Sequence, residues 1–388
     1  MTEKEKEGVS KAMKQKINVL IMFSRTVTIL FLLLSLGGCG SGGDNTATGY
    51  ISGDDIYTPV EVKLVHGTLL VVRAVVNGSI TLDMLVDTGA SGTYVPAGIF
   101  GNPDGEVYIS SLCLENDICF NNFMARSSDS AFTQSKDGYF NGIIGVDFLK
   151  NFDCTFDYKS ELIYFYDTLE NGSPDLVTIP FHYESFRPYT NVSMEGISQG
   201  DNLLDTGAAY TRITSVMLDS LSQMPDVLFE SVVFTLNGSE IVEYVPLTDY
   251  CAGMACPDEI IVQIGSWPAV GGTFFREYLT IFRFSEKTVK LDQYNDKSHI
   301  KESGIQRTGL QINIYDASDI IYVGEGSFAW AGGLREGYEI ISVNGIPIDS
   351  LGYFGIYELL ADTSINEYQF LVVTTGGDTE DVTISIQS

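Results

Sequence analysis

The chain repeats itself once, and that repeat restricts the fold more than any other feature of its 388 residues. Ile143-Ile144-Gly145-Val146-Asp147-Phe148-Leu149-Lys150, running on to Phe156-Asp157-Tyr158, aligns without a gap on Ala269-Val270-Gly271-Gly272-Thr273-Phe274-Phe275-Arg276, running on to Phe282-Arg283-Phe284. The offset is 126 residues throughout, from 145 to 271 and from 156 to 282. Upstream, an apolar approach leads twice into one tetrapeptide. Met84-Leu85-Val86 precedes Asp87-Thr88-Gly89-Ala90, and Asn202-Leu203-Leu204 precedes Asp205-Thr206-Gly207-Ala208. Here the offset is 118, and the difference falls in intervening loops, where changes of length are tolerated. A duplication of this kind predicts two homologous lobes, 58–176 and 177–298.

Inside each lobe the pattern reads as β. The apolar run Thr68 to Val76 ends at Asn77-Gly78, a strong hairpin signal, and Ile80 to Val86 runs back. Leu162 to Tyr166 and Thr288 to Leu291 read as strands at the ends of the two lobes. One helix is expected after Thr211, where Val216-Met217-Leu218 and Leu221 are spaced for one apolar face. The predicted fold is mostly β, with two lobes about a pseudo-two-fold axis, followed by a region of different character at 303–388 that is expected to be α/β.

A lone Asp-Thr-Gly is commonly a turn in which Gly supplies positive φ. Two copies in matching positions of a duplicated lobe bring Asp87 and Asp205 face to face across the axis. Carboxylates about 3 Å apart cannot both ionise readily, so the pair holds one proton between them. One member is then a base for a shared water, and the other an acid toward a developing oxyanion. Gly89 and Gly207 let the backbone approach the pair, and the hydroxyls of Thr88 and Thr206 are expected to hydrogen-bond across the junction. The paired segments Ile143-Ile144-Gly145 and Ala269-Val270-Gly271 are expected to pack beneath these loops. Such chemistry needs no metal or cofactor, and three histidines with no metal-ligand spacing imply neither.

Asp87-Thr88-Gly89-Ala90-Ser91 followed by Gly142-Ile143-Ile144-Gly145-Val146-Asp147-Phe148-Leu149 resembles the pepsin and retropepsin superfamily. The doubled arrangement in one short chain resembles bacterial pepsin/retropepsin-like proteins that carry a C-terminal PDZ domain. This resemblance covers nearly everything after the N-terminal tether. It implies an aspartic endopeptidase with catalytic Asp87 and Asp205, acting on an extended peptide or protein substrate. Ala90 and Ala208 follow the Gly, as in retroviral enzymes, where pepsins usually place Ser or Thr; loss of that hydroxyl implies a less acidic pair suited to near-neutral pH. The candidate flap is the stretch from Glu106-Val107-Tyr108-Ile109 to Cys119-Phe120, with Tyr108 as its aromatic. An ordinary surface hairpin explains that stretch equally well. Arg283 stands opposite Asp157 in the repeat.

Ser327 to Ile340, leading to Val343-Asn344-Gly345, resembles the PDZ domains of bacterial proteases, with Gly332 and Tyr338 at their usual Ala and Asp positions. The resemblance implies capture of a C-terminal peptide at Thr308-Gly309-Leu310-Gln311-Ile312 as carboxylate loop and edge strand. A module that only braces the lobes is the alternative.

At the N-terminus, Lys11, Lys14 and Lys16 precede an apolar run from Val19 to Leu36, interrupted at Ser24-Arg25-Thr26, which is the layout of a signal peptide over 1–38. Leu36-Gly37-Gly38-Cys39 resembles the lipobox of bacterial lipoproteins and implies that Cys39 is lipidated, anchoring the chain to a membrane. A transmembrane anchor is the alternative, although the uninterrupted core from Val27 to Leu36 is short for a span. Gly40 to Asn45 opens a flexible tether over 39–57, and Gly after the lipidated Cys implies the outer membrane over the inner. The resulting location is the bacterial cell envelope, facing periplasm or exterior. In that compartment Cys113 with Cys119, and Cys251 with Cys256, are candidate local disulfides, leaving Cys154 as a buried thiol. A formal charge of -29, spread along the chain, disfavours nucleic acid as a partner. With both aspartates in one chain a monomer suffices. The rival expectation is a non-catalytic envelope lipoprotein that binds peptides in its cleft and PDZ-like region.

Overall fold

The computed structural model describes residues 48–51, 58–100, 105–114, 118–128, 140–166, 176–235, 238–313 and 316–386. The signal segment and Cys39 lie outside the described residues, as does most of the tether. No helix among the described residues is long and apolar enough to cross a membrane. The chain is mostly β: three sheets of 13, nine and six strands are formed by the described residues. These residues fall into two compact units, 231–242 and the remainder; in the first, 231–235 and 238–242 are strand.

Alternation of side chains sets the strands. In Leu69–Val76, Leu70, Val72, Ala74 and Val76 are at most 1 % exposed while Arg73 and Val75 face outward. Asn77 and Gly78, with φ of 51° and 73°, take the left-handed positions of a tight turn. Ile80–Val86 then pairs back antiparallel, Val76 facing Ile80 and Val71 facing Leu85.

The two repeated halves meet strand to strand. Asp153–Asp157 pairs antiparallel with Tyr278–Arg283, placing Cys154 opposite Phe282, Thr155 opposite Ile281 and Phe156 opposite Thr280. Moved by the repeat offset, 154 becomes 280 and 156 becomes 282, so this register maps onto itself about the Thr155–Ile281 pair. The junction is therefore self-complementary, as an isologous interface is. Phe156 and Phe282 cross it with ring centroids 5.4 Å apart, inside one apolar core that runs from Val60 to Leu291. Arg283, which the repeat aligns with Asp157, meets Asp153, because the antiparallel register sets those two opposite each other; the buried ion pair measures 3.3 Å. The Asp157 carboxylate instead accepts the Tyr294 hydroxyl at 2.7 Å.

The helix expected after Thr211 is a single turn, Ser215–Leu218, capped by the Thr214 side chain, which accepts from the Met217 N–H. Met217 and Leu218 are buried, with Leu221 packed against the same core, but Val216 is 76 % exposed. One turn cannot place three successive residues on one face, which is why Val216 is excluded.

A second, separate core spans Leu310 to Ile384. It is covered by a sheet in the order 310–313, 316–323, 339–343, 367–373, 379–385, with Ile346–Pro347 on the third strand. The helix Ile348–Ala361 is kinked at Gly352, where φ is 60°. Arg307, buried on the short helix Gly304–Thr308, ties this region together. Its guanidinium donates to the carbonyls of Leu360 and Asp362 at 3.2 and 2.5 Å, to the Ile365 carbonyl, and to the Tyr368 hydroxyl.

Candidate active site

Each Asp-Thr-Gly begins where a strand ends against a parallel neighbour. Met84–Val86 lies beside Gly142–Ile144, and Leu203–Leu204 beside Ala269–Val270. The last carbonyls of these neighbours hold the aspartates: Asp87 N–H donates to Ile144 O at 3.0 Å, and Asp205 N–H to Val270 O at 2.9 Å. The next turn is fixed in the same way, Val146 N–H to Ala90 O at 2.9 Å and Gly272 N–H to Ala208 O at 2.7 Å. Gly145 and Gly271 are required at this crossing, since a Cβ on either would lie 2.3 Å from the carbonyl oxygen of Gly92 or Tyr210.

The two loops then interlock. The Thr88 hydroxyl donates to Leu204 O at 2.7 Å and accepts from Thr206 N–H at 3.1 Å. Reciprocally, the Thr206 hydroxyl donates to Val86 O at 2.8 Å and accepts from Thr88 N–H at 3.0 Å. Both threonines are fully buried, so each of these groups depends on its partner.

Asp87 and Asp205 are brought together, each against the other loop's glycine. A Cβ on Gly89 would stand 2.5 Å from Asp205 Cγ, and one on Gly207 would stand 2.3 Å from Asp87 Cγ. Inside its own loop Asp87 Oδ1 accepts from Gly89 and Ala90 N–H at 2.7 and 3.0 Å, while Asp205 Oδ1 accepts from Gly207 N–H at 3.0 Å. Burial raises both carboxyls above the ordinary range. Asp87 is pushed well above it, with the Asp205 charge and a carboxyl–carboxyl hydrogen bond adding to burial. For Asp205 the hydrogen bond to Asp87 and the positive charge of Arg212 oppose burial, so negative charge is easier to hold on the second half's side. A buried pair that shares a proton can act as acid and base toward one water.

A second brace, not anticipated from the motifs, backs each loop. The Thr93 N–H and hydroxyl donate to the Asp147 carboxylate at 2.9 and 2.7 Å, and Gly145 N–H donates back to the Thr93 hydroxyl at 3.4 Å. In the second half Thr211 N–H donates to the Thr273 hydroxyl at 2.9 Å, and Gly271 N–H to the Thr211 hydroxyl at 3.1 Å. The aligned repeat contains Asp147 and Thr273, whereas Thr93 and Thr211 lie just beyond the aligned tetrapeptides, and none of these roles was legible from it.

The disulfides also occupy repeat-equivalent places. Cys113 is bonded to Cys119 and faces Val75; Cys251 is bonded to Cys256 and faces Ser193. Positions 75 and 193 differ by the same 118 residues as the two aspartates. Cys154 is free and buried.

Tyr108 lies toward the open end of its hairpin, where it pairs with Met124. It is half-exposed on the hairpin Glu106–Leu114 and Ile118–Ser127, and its hydroxyl donates to Asn122 of that hairpin at 2.7 Å. The closed end of the hairpin lies beside Ala74–Val76, at the end of that strand remote from Asp87. Gly309 ends the helix Gly304–Thr308 with φ 73°, and Leu310 to Ile312 lie on the strand at one end of the six-stranded sheet. Leu310 and Ile312 point into that region's core, leaving Gln311 half-buried between them. Next to the second motif, Tyr210 shares a 3.2 Å hydrogen bond with Ser303, which leads into the C-terminal region.

No protein-family model matches the chain, and no curated protein matches its sequence.

Proposed function

We propose that the chain is an aspartic-type endopeptidase in which Asp87 and Asp205 activate one water for attack on a peptide carbonyl. The observation that carries this reading is the buried carboxyl pair, held by reciprocal hydrogen bonds from two copies of one motif. A site that only binds has no need to bury two mutually repelling carboxyls. The self-complementary register at Thr155 and Ile281 supports the further reading of two pepsin/retropepsin-like lobes about a pseudo-two-fold axis. In the reaction the ionised carboxyl takes a proton from the water, and the protonated one hydrogen-bonds the carbonyl oxygen and then helps the amine leave.

The C-terminal region is proposed as a PDZ-like module. Its end strand, Leu310–Asn313, entered through Gly309, offers a place for a C-terminal peptide to add by main-chain hydrogen bonds. Its contacts at Tyr210–Ser303 and Tyr322–Glu230, the latter 2.5 Å, also make it a brace for the second lobe. The protein is proposed to be a monomer anchored in the bacterial envelope by lipid on Cys39. Support for this is the sequence order of lysines, apolar run and Leu36-Gly37-Gly38-Cys39.

The test is cleavage of a mixed peptide library by the full chain in detergent, from acidic to slightly alkaline pH, with and without pepstatin. The expected result is pepstatin-sensitive cutting that Asp87→Asn or Asp205→Asn lowers by about 10²–10⁴-fold. A folded wild type that binds peptides yet cuts none over that range overturns the reading in favour of a peptide-binding lipoprotein.

A further inference from the structure

The two halves differ in what stands seven residues after each aspartate. In the second half that residue is Arg212, on the short strand Thr211–Ile213. Thr211 and Ile213 are fully buried, so Arg212 between them points to the opposite face. Its guanidinium lies over the Trp267 ring, 4.2 Å from the centroid, and its Nε donates to Gln263 Oε1 at 2.9 Å. A cation on an aromatic face with one nitrogen tethered is held in orientation at little further entropy cost. Nε is the only nitrogen of this guanidinium that is committed among the described residues, so the fork of terminal NH2 groups is left for another acceptor. Trp267 is 44 % exposed, so the place is open to solvent. Arg212 is also near enough to act electrostatically on Asp205 and, more weakly, on Asp87.

The first half answers with a different arrangement at the equivalent positions. Tyr94 takes the place of Arg212, and Arg126 that of Gln263, in the same cross-strand pair. There the guanidinium is on the neighbouring strand and spends a terminal nitrogen on the Tyr94 hydroxyl at 3.0 Å. Among the described residues, only the second half therefore presents a free fork beside its aspartate.

We infer that Arg212 is a specificity-determining residue, and that the cleft selects peptides carrying an Asp or Glu side chain close to the scissile bond on the second-half side. The fork of Arg212 receives that carboxylate in bidentate fashion, with Trp267 and Gln263 fixing its plane. In a chain with 51 Asp and Glu against 22 Lys and Arg, a local cation is what lets an acidic peptide approach an acidic protein. Selection next to a bond that is cut rests on the peptidase reading; the carboxylate site itself does not.

The experiment has two arms that separate those claims. In the first, the full chain in detergent cleaves paired quenched peptides that differ only in Glu against Gln, or Asp against Asn, at each position flanking the cut. Wild type is expected to favour the acidic member at one position by about 10- to 100-fold in kcat/KM. Arg212→Gln should erase that ratio, Arg212→Lys should keep part of it, and Arg212→Glu should invert it toward Lys-containing peptides. Equal cleavage of both members by wild type, or a ratio unchanged in Arg212→Gln, overturns the inference. In the second arm, labelled acidic and amide peptides are titrated into Asp87→Asn and into Asp87→Asn with Arg212→Gln, both checked for cooperative melting. Selective binding that disappears with Arg212→Gln sustains the carboxylate site even if wild type never cuts, an outcome that refutes only the peptidase reading. Binding without preference for the acidic member refutes the site even if wild type cuts.

Discussion

In the first half Tyr94 and Arg126 stand where the second half has Arg212 and Gln263, and Asp147 backs Thr93 where Thr273 backs Thr211. The hydrogen bonds by which Thr88 and Thr206 interlock the two loops match between the halves, 2.7 against 2.8 Å and 3.0 against 3.1 Å. The contrast teaches where a duplicated site can diverge. Groups that cross the junction must satisfy each other's buried partners, so a change in one copy leaves an orphan in the other. Groups one strand away answer only to their own half and can take different charges. The consequence is a pair that is symmetric in geometry and unsymmetric in electrostatics, with Arg212 acting on Asp205 more strongly than on Asp87.

The largest test of the symmetric part is at the glycines. Gly89→Ala and Gly207→Ala each drive a Cβ to within 2.5 Å or less of the opposite carboxyl. Both are expected to lower peptide cleavage by about 10²-fold or more while the protein still melts cooperatively. If one position tolerates Ala and the other does not, the halves are not equivalent at the junction. Next come Thr88→Val and Thr206→Val, measured by chemical denaturation. Each strands a buried carbonyl and a buried N–H of the opposite loop and is expected to cost about 1–3 kcal/mol, by similar amounts. A marked inequality between the two would show that one loop is held by something besides its partner.

The smallest effect is on stability against pH. Because burial lifts Asp87 above its ordinary value of 3.8, its folded state prefers the proton. Stability from that source is fully present below about 3.8 and is lost as pH rises through the raised value. Asp87→Asn cannot ionise there, so its melting temperature relative to wild type should climb as pH rises toward neutrality and shrink again in acid. A difference that does not vary with pH would mean that the pair is not protonated when folded.

Much of this was legible in the sequence because it is local or repeated. The Asn77-Gly78 turn and its strands follow from period-two alternation, and both Asp-Thr-Gly motifs stand out because two copies share an apolar approach. The nearest-neighbour cysteines paired as their short spacing suggested. What stayed hidden depends on residues distant in sequence and unlike in chemistry. Thr93 and Asp147 are 54 residues apart, and the repeat aligns Asp147 with a Thr, which masks their common role. Arg212 aligns with Tyr94, so similarity gives no hint of it, and only the strand register sets it beside Gln263. Periodicity identifies the hairpin Glu106–Leu114 and Ile118–Ser127, but only its pairing with Ala74–Val76 tells which end of the sheet its closed end occupies. The one-turn helix after Thr211 shows the converse error, an apolar triplet too short to obey helical spacing.

The central claim is that Asp87 and Asp205 work as one unit. The most direct measurement is kcat/KM for a single cleaved peptide with wild type, Asp87→Asn, Asp205→Asn and the double variant, all in the full chain. Each single substitution is expected to lower it as far as the double, since residues acting as a unit are not additive. Near-wild-type cleavage by either single variant, or a double loss equal to the product of the two single losses, would contradict it.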